Sequence, residues 1–339
     1  DAPNSIKKLE MRVREIDALR GIAAICVMIF HYSVVFPRFF PDAPSVPWKF
    51  EAGSYGVFLF FVISGFVICL TLQRTEKISD FAVKRIARLY PVYWAAIAIT
   101  TAVTTISAIG QLQTSPFHTV ANLTMLQSFF MIPSVDGVYW TLEIELAFYF
   151  CMSAIWYVIK VKNIEFPVLI WLILSHLLQT TDFIPYRIQL ILLTEHIPFF
   201  AIGILAYRVW VEQRTWAEQL PYLAIANISL FIQGGVELGI AGAVASIVIW
   251  AAVTNRLQFL NNPVLRYFGS ISYALYLIHH HAGFVLLLKA TDAGLRPLTA
   301  LITVCLIMFC MAALLHHMIE IPADRAVRKW WSRRLRLST

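Results

Sequence analysis

A few charged and imidazole side chains sit inside otherwise apolar sequence, and their spacing limits what they can do together. Arg20 and His31 have ten residues between them. On a helix that separation is close to three whole turns, so both share one face, about 16 Å apart along the axis. Asp17 lies one turn before Arg20 on nearly the same face, placed to orient it. A guanidinium holds phosphate or carboxylate groups, and an imidazole takes up a proton near neutrality. The pair therefore offers anion binding at one end and a base at the other. Arg85 and Arg88, at i and i+3, point two guanidinium forks from one helical face, a geometry that suits phosphate and equally suits a plain interfacial anchor. Glu145 and Tyr149, at i and i+4, bring a carboxylate beside a phenol, with Glu143 nearer the positive end of the helix dipole. Ser64, within Phe60-Phe61-Val62-Ile63-Ser64-Gly65-Phe66, adds a hydroxyl. His279, His280 and His281 are consecutive; on a continuous helix they point in three directions, so no common metal ion is expected.

These groups have an apolar setting. Of 339 residues, 59% are hydrophobic and only 14% charged, against roughly 25% charged in soluble domains; mean hydropathy is +0.70. The net charge of +7 is interrupted by long apolar segments and forms no basic face for nucleic acid. Five cysteines, odd in number and all in apolar runs, exclude an extracellular disulfide scaffold. A charged group at the centre of a membrane helix costs ~2.5–3.5 kcal/mol or more, so embedded ones mark function. A crossing takes about 20 apolar residues. On that criterion the sequence predicts an all-α integral membrane protein with about ten transmembrane helices, near 17–36, 54–73, 90–109, 138–160, 164–179, 188–208, 221–234, 237–254, 267–288 and 297–318. The spans at 164–179 and 221–234 are short. No separate soluble domain fits between them, so residues 1–339 read as one membrane domain. With the N-terminus inside, 22 of the 27 Lys and Arg fall on the inner side, which predicts that both termini are cytoplasmic. Residues 319–339, with Trp330, Trp331 and six basic residues from Arg325 to Arg336, read as a basic amphipathic tail on the inner membrane surface. Each basic residue there gains ~1 kcal/mol from anionic lipid.

Familiar motifs are absent: there is no GxSxG elbow, no GxxxxGK[ST] or GxGxxG phosphate loop and no CxxC. Taken in order, Asp17-Ala18-Leu19-Arg20-Gly21 with His31, Ser64-Gly65-Phe66, Arg85-x-x-Arg88 with Pro91, Trp140 to Tyr149, and Ser272-Tyr273 to His279 resemble the acyltransferase-3 family of membrane proteins, which O-acylate cell-surface and secreted carbohydrates. Thr141 stands where the family pattern has serine and keeps the hydroxyl. The resemblance runs from Glu15 to Arg325. It implies an acyl donor such as acetyl-CoA, reached from the cytoplasm, and an acceptor hydroxyl on an exopolysaccharide, a lipopolysaccharide or a lipid-linked precursor. It further implies a bacterial inner membrane, with membrane lipid and polysaccharide synthesis or export proteins as partners. In that scheme His31 is the base, and Arg20, Arg85 and Arg88 hold the donor's phosphates. Glu145 or Asp17 sets the imidazole tautomer, and Tyr149 or Ser64 donates to the carbonyl oxygen. The rival class is a secondary transporter with an intramembrane His/Glu/Arg site. It gives no reason for Arg85-x-x-Arg88 beside Pro91, and matched Gly/Pro-interrupted spans in the two halves are lacking.

The charge distribution sets an expected topology: residues 37 to 53 and 110 to 135 face outward and Arg85–Arg88 faces the cytoplasm. In a cysteine-free background, Ser45→Cys reacts with an impermeant maleimide on intact cells, whereas Arg85→Cys reacts only after permeabilisation. Labelling of Arg85→Cys from outside would overturn the orientation.

Overall fold

The computed structural model describes residues 14–160, 163–179, 185–212 and 214–337; Lys7, Lys8, Arg12 and Lys162 of the charge count lie outside them. The fold is helical, with no strand among the described residues. In chain order the helices are α1 (Arg14–Phe39), α2 (Glu51–Gln73), α3 (Ile78–Ser107), α4 (Pro116–Asn122), α5 (Trp140–Ile159), α6 (Glu165–Gln179), α7 (Tyr186–Ile191), α8 (Ile197–Glu212), α9 (Trp216–Val253), α10 (Pro263–Ile278), α11 (His281–Asp292) and α12 (Pro297–Leu335).

Six of these helices, α1, α2, α3, α5, α9 and α12, are long and apolar enough to cross a membrane, and the bent pair α10–α11 makes a seventh if taken as one span. The expected count of ten is therefore not reproduced by length and composition, for local reasons. Helix α6 has only 15 residues and α8 only 16. The expected span 188–208 is interrupted between α7 and α8. Two expected spans fall within the single 38-residue α9, which leaves helical geometry at Gly234 and Gly235, the latter at φ 64°. Only glycine adopts that left-handed conformation cheaply. The hydrogen bond from Asn227 Nδ2 to Ser246 Oγ at 3.2 Å joins residues about 28 Å apart on a straight helix, so the two halves of α9 fold back on each other. The 30-residue α3 and 39-residue α12 err the other way, since each overruns a hydrocarbon core of ~30 Å. Helix α12 carries the apolar span into the basic tail through a π turn at His316–Glu320.

The chain forms two compact units. The first takes in the chain up to Arg20, Val57–Ile78 and Ile144–Arg266; the second takes in Gly21–Gly56, Ser79–Glu143 and the chain from Tyr267 onward. In the first unit α2 and α8 cross with their backbones in contact: a Cβ on Gly203 would overlap the Val62 carbonyl oxygen, and one on Gly65 would overlap that of Phe200. The glycine of Ser64-Gly65-Phe66 is thus a packing requirement, as small residues are wherever membrane helices approach closely. Stacked rings flank the crossing, Phe58 on Phe199 at 4.3 Å and Phe148 on Phe200 at 4.0 Å. Arg208, buried on α8, donates to Glu165 at 2.8 Å and thereby carries its charge internally.

In the second unit, tyrosine hydroxyls tie the helices to one another. Tyr273 donates to the Leu89 carbonyl at 3.0 Å, Tyr139 to that of Leu277 at 3.3 Å, and Tyr276 shares a 2.9 Å bond with the Thr141 hydroxyl.

Overpacking a tight core costs about 1–3 kcal/mol. Gly203→Ala is therefore expected to lower the thermal midpoint of the detergent-solubilised protein by several degrees, whereas Gly110→Ala, with open space around it, leaves it unchanged. Equal midpoints for the two variants would show that the close crossing is not formed.

Candidate active site

Helix α1 widens into a π turn at His31–Val35, where the Phe36 N–H reaches back to the His31 carbonyl, and Pro37 removes the next backbone donor. His31 opens that turn. Facing it is the break between α10 and α11, where the chain bends by 78°. No glycine or proline lies in the break; tertiary partners support it by satisfying backbone groups that it frees. The His279 carbonyl accepts from the Tyr32 hydroxyl at 2.7 Å, and the His281 N–H donates to Asp136 Oδ2 at 2.9 Å. Asp136, fully buried in the turn before α5, also accepts at Oδ1 from the Val138 N–H at 3.2 Å and from His280 Nδ1 at 2.9 Å. Burial works against its charge, but the neighbouring His281 and His280, by charge and hydrogen bonding, hold its carboxyl well below the usual carboxylate range. Gly137 has to be a glycine because a Cβ there would stand 2.7 Å from His280 Cε1.

The break overturns the expectation that His279, His280 and His281 diverge along one helix. His279 follows the end of α10, His280 bridges, and His281 begins α11. The rings of His280 and His281 stack at 4.7 Å, and His31 packs edge-on against both His279 at 4.9 Å and His280 at 4.6 Å. Asp136, His280 and His281 each bring a ligand-type atom within 4.8 Å of the others. Several polar atoms of the cluster are already engaged: His281 Nδ1 donates to the Val135 carbonyl at 3.1 Å, His280 Nδ1 donates to Asp136, and both carboxylate oxygens accept backbone N–H groups. Through these bonds the cluster caps the helix break.

His279 Nδ1 faces two carbonyls, Tyr276 at 2.9 Å and Leu275 at 3.2 Å, so it carries hydrogen and leaves Nε2 as an acceptor. His31 Nδ1 lies 2.9 Å from the Val27 carbonyl and 3.1 Å from that accepting His279 Nε2. Both partners require a proton on His31 Nδ1, which leaves Nε2 bare. Within this unit the groups that fix the tautomer are the Val27 carbonyl and His279.

Arg85 and Arg88 belong to the same unit as His31, half-buried on α3, with the Arg85 guanidinium 5.9 Å from the Phe81 ring centroid. One turn earlier Asp80 accepts from Trp331 Nε1 of the tail at 2.8 Å. Asp17, Arg20, Ser64, Glu145 and Tyr149 belong to the first unit. There Ser64 donates to Glu145 Oε1 at 2.9 Å, an association of two residues read separately from the sequence, and Tyr149 is buried one turn further along α5. Glu143, fully buried, accepts from the backbone and hydroxyl of Ser128 at 3.0 and 2.9 Å and so fastens the turn Gln127–Phe130. Asp136 and the separate roles of His279 and His280 were not read from the sequence; the only local signal was an Asp-Gly turn ahead of Trp140.

A family model described as an acyltransferase domain matches residues 13–317. Nodulation protein 10 of Rhizobium leguminosarum bv. viciae is 29% identical over 153 residues, which is 39% of this chain and 41% of that protein, so the chain spans about two fifths of its relative's length. No solved structure matches. With the family match covering most of the chain and several apolar helices of membrane-crossing length beneath it, this multi-pass membrane protein belongs to the acyltransferase-3 family.

Proposed function

We propose that this chain, in a bacterial inner membrane, moves an acetyl group from cytoplasmic acetyl-CoA to a hydroxyl of a polysaccharide or its lipid-linked precursor. The observation that carries the reading is the bare Nε2 of His31, whose other nitrogen is committed to the Val27 carbonyl and His279. A neutral imidazole held in that tautomer is a general base. Nε2 takes the acceptor's hydroxyl proton as the oxygen attacks the thioester carbonyl carbon. The carbonyl π pair moves to oxygen and then returns, breaking the C–S bond, and the departing thiolate receives the proton back from Nε2. Arg85 and Arg88 supply guanidinium forks for the donor's phosphates. The donor's linear pantetheine arm suits a protein that binds phosphate at a membrane surface and reacts at an embedded histidine.

His31→Ala is expected to lower glycan acylation, read by mass spectrometry, by ~10²–10⁴ while acetyl-CoA binding persists. Arg85→Ala with Arg88→Ala is expected to show the opposite pattern, weaker donor binding by calorimetry in detergent. Each lost charged hydrogen bond costs about 1.5–3 kcal/mol, and lysine rescues only in part because it lacks the planar fork. Substantial acylation by folded His31→Ala would remove the base assignment; unchanged donor affinity in the double variant would make the arginines an anchor.

A further inference from the structure

His31 is not alone. The ring of His280 lies with its centroid 4.6 Å away at 72°, and the two imidazoles differ in what stands behind them. His31 Nδ1 is backed by a neutral carbonyl and a neutral acceptor ring. His280 Nδ1 is backed by Asp136, a carboxylate with no exposure to solvent. A carboxylate behind a ring stabilises its imidazolium far more than a carbonyl does, and two imidazolium ions in contact repel. Paired groups whose surroundings drive them to opposite protonation states divide into an acid and a base. The groups facing His280 are His31 from α1, Asp136 from the turn before α5, and His279 and His281 on either side; Phe284 and Phe39 close over it with ring centroids 4.5 and 6.1 Å away. Asp136 is thus the one carboxylate among them. The mechanism above uses His31 and leaves this second, carboxylate-backed imidazole unassigned.

We infer that His280 is a second catalytic residue, donating its Nε2 hydrogen to the thioester carbonyl oxygen, with Asp136 as its positioning residue. The inference rests on the acyl-transfer reading. As the acceptor oxygen bonds to the carbonyl carbon and His31 Nε2 takes its proton, the carbonyl oxygen gains a full electron pair, and the His280 N–H stabilises that oxyanion. When the pair returns and the C–S bond breaks, the thiolate leaves with the proton from His31, and His280 keeps its own. No proton is passed from His31 to His280, because the His31 nitrogen that meets its neighbours is Nδ1, which already carries hydrogen.

The test separates the two nitrogens of His280. His280→Asn places an amide N–H near the Nδ1 position and keeps the bond to Asp136; His280→Gln places one near Nε2 and loses that bond. Discharge of acetyl-CoA by the full-length protein in detergent, with the polysaccharide of the expressing cells as acceptor, is measured beside thermal unfolding. A donor at Nε2 predicts that folded Asn loses ~10²–10³ in kcat with KM for acetyl-CoA little changed, whereas Gln stays within about tenfold of wild type. Active Asn with inactive Gln would overturn the inference and make His280 a strut for the bend. Independently of turnover, ¹⁵N NMR of histidine-labelled protein, assigned by the same variants, reads which ring first carries two protons as pH falls. His280 before His31 is expected, and the reverse order would overturn the inference. Absence of discharge by the wild-type protein would instead remove the acyl-transfer reading.

Discussion

A buried carboxylate at Asp136 holds the histidine-lined break of the second unit together. It receives the N–H of His281, the N–H of Val138 and the Nδ1 of His280. Removing the first of these would leave the start of α11 uncapped, and removing the third would free the ring that packs against His31. The bend is therefore an electrostatic object: a buried carboxylate is tolerable only while its oxygens are filled, and two of the groups that fill them, the His281 N–H and the His280 ring, belong to the bend. Cap and charge require one another, and the geometry of the histidines follows.

The same constraint explains the tyrosines. Inside a membrane every freed backbone polar group needs a protein partner, and an aromatic ring ending in a hydroxyl reaches across apolar packing to supply it. Tyr32, Tyr139 and Tyr273 each deliver a hydroxyl to a main-chain carbonyl of the second unit. Two of these carbonyls, on Leu277 and His279, flank the end of α10. In the first unit irregularity is met differently, by glycine at the α2–α8 crossing and by the buried Arg208–Glu165 pair on α8 and α6.

Much of the fold was legible in the sequence because a membrane span announces itself by length and apolarity, and the Gly234–Gly235 junction at the end of one expected span proves to be where α9 folds back. What was not legible had tertiary causes. Nothing in Leu277-Ile278-His279-His280 breaks a helix by propensity, so a continuous span was the natural reading, and the metal argument built on it used the wrong geometry. The bend comes from a residue more than 140 positions earlier in the chain, Asp136. His31 was legible as an embedded imidazole, but its tautomer depends on the carbonyl one turn behind it and on a ring 248 residues away. Ser64 and Glu145 were each legible, while their pairing depends on how α2 and α5 meet.

A base backed only by a carbonyl looks weak beside one backed by a carboxylate, yet for this chemistry the weaker arrangement has the advantage. A proton on His31 beside an imidazolium at His280 would meet a repulsion on the order of 4 kcal/mol, for charges about 4 Å apart at an effective dielectric of about 20. That repulsion opposes keeping the proton once the acceptor hydroxyl has given it up, and so favours its return to the departing thiolate. A carboxylate behind His31 would stabilise the protonated base and slow that return. On this reading the neutral carbonyl behind one imidazole and the buried carboxylate behind the other divide two jobs that a single carboxylate-backed histidine would perform in conflict.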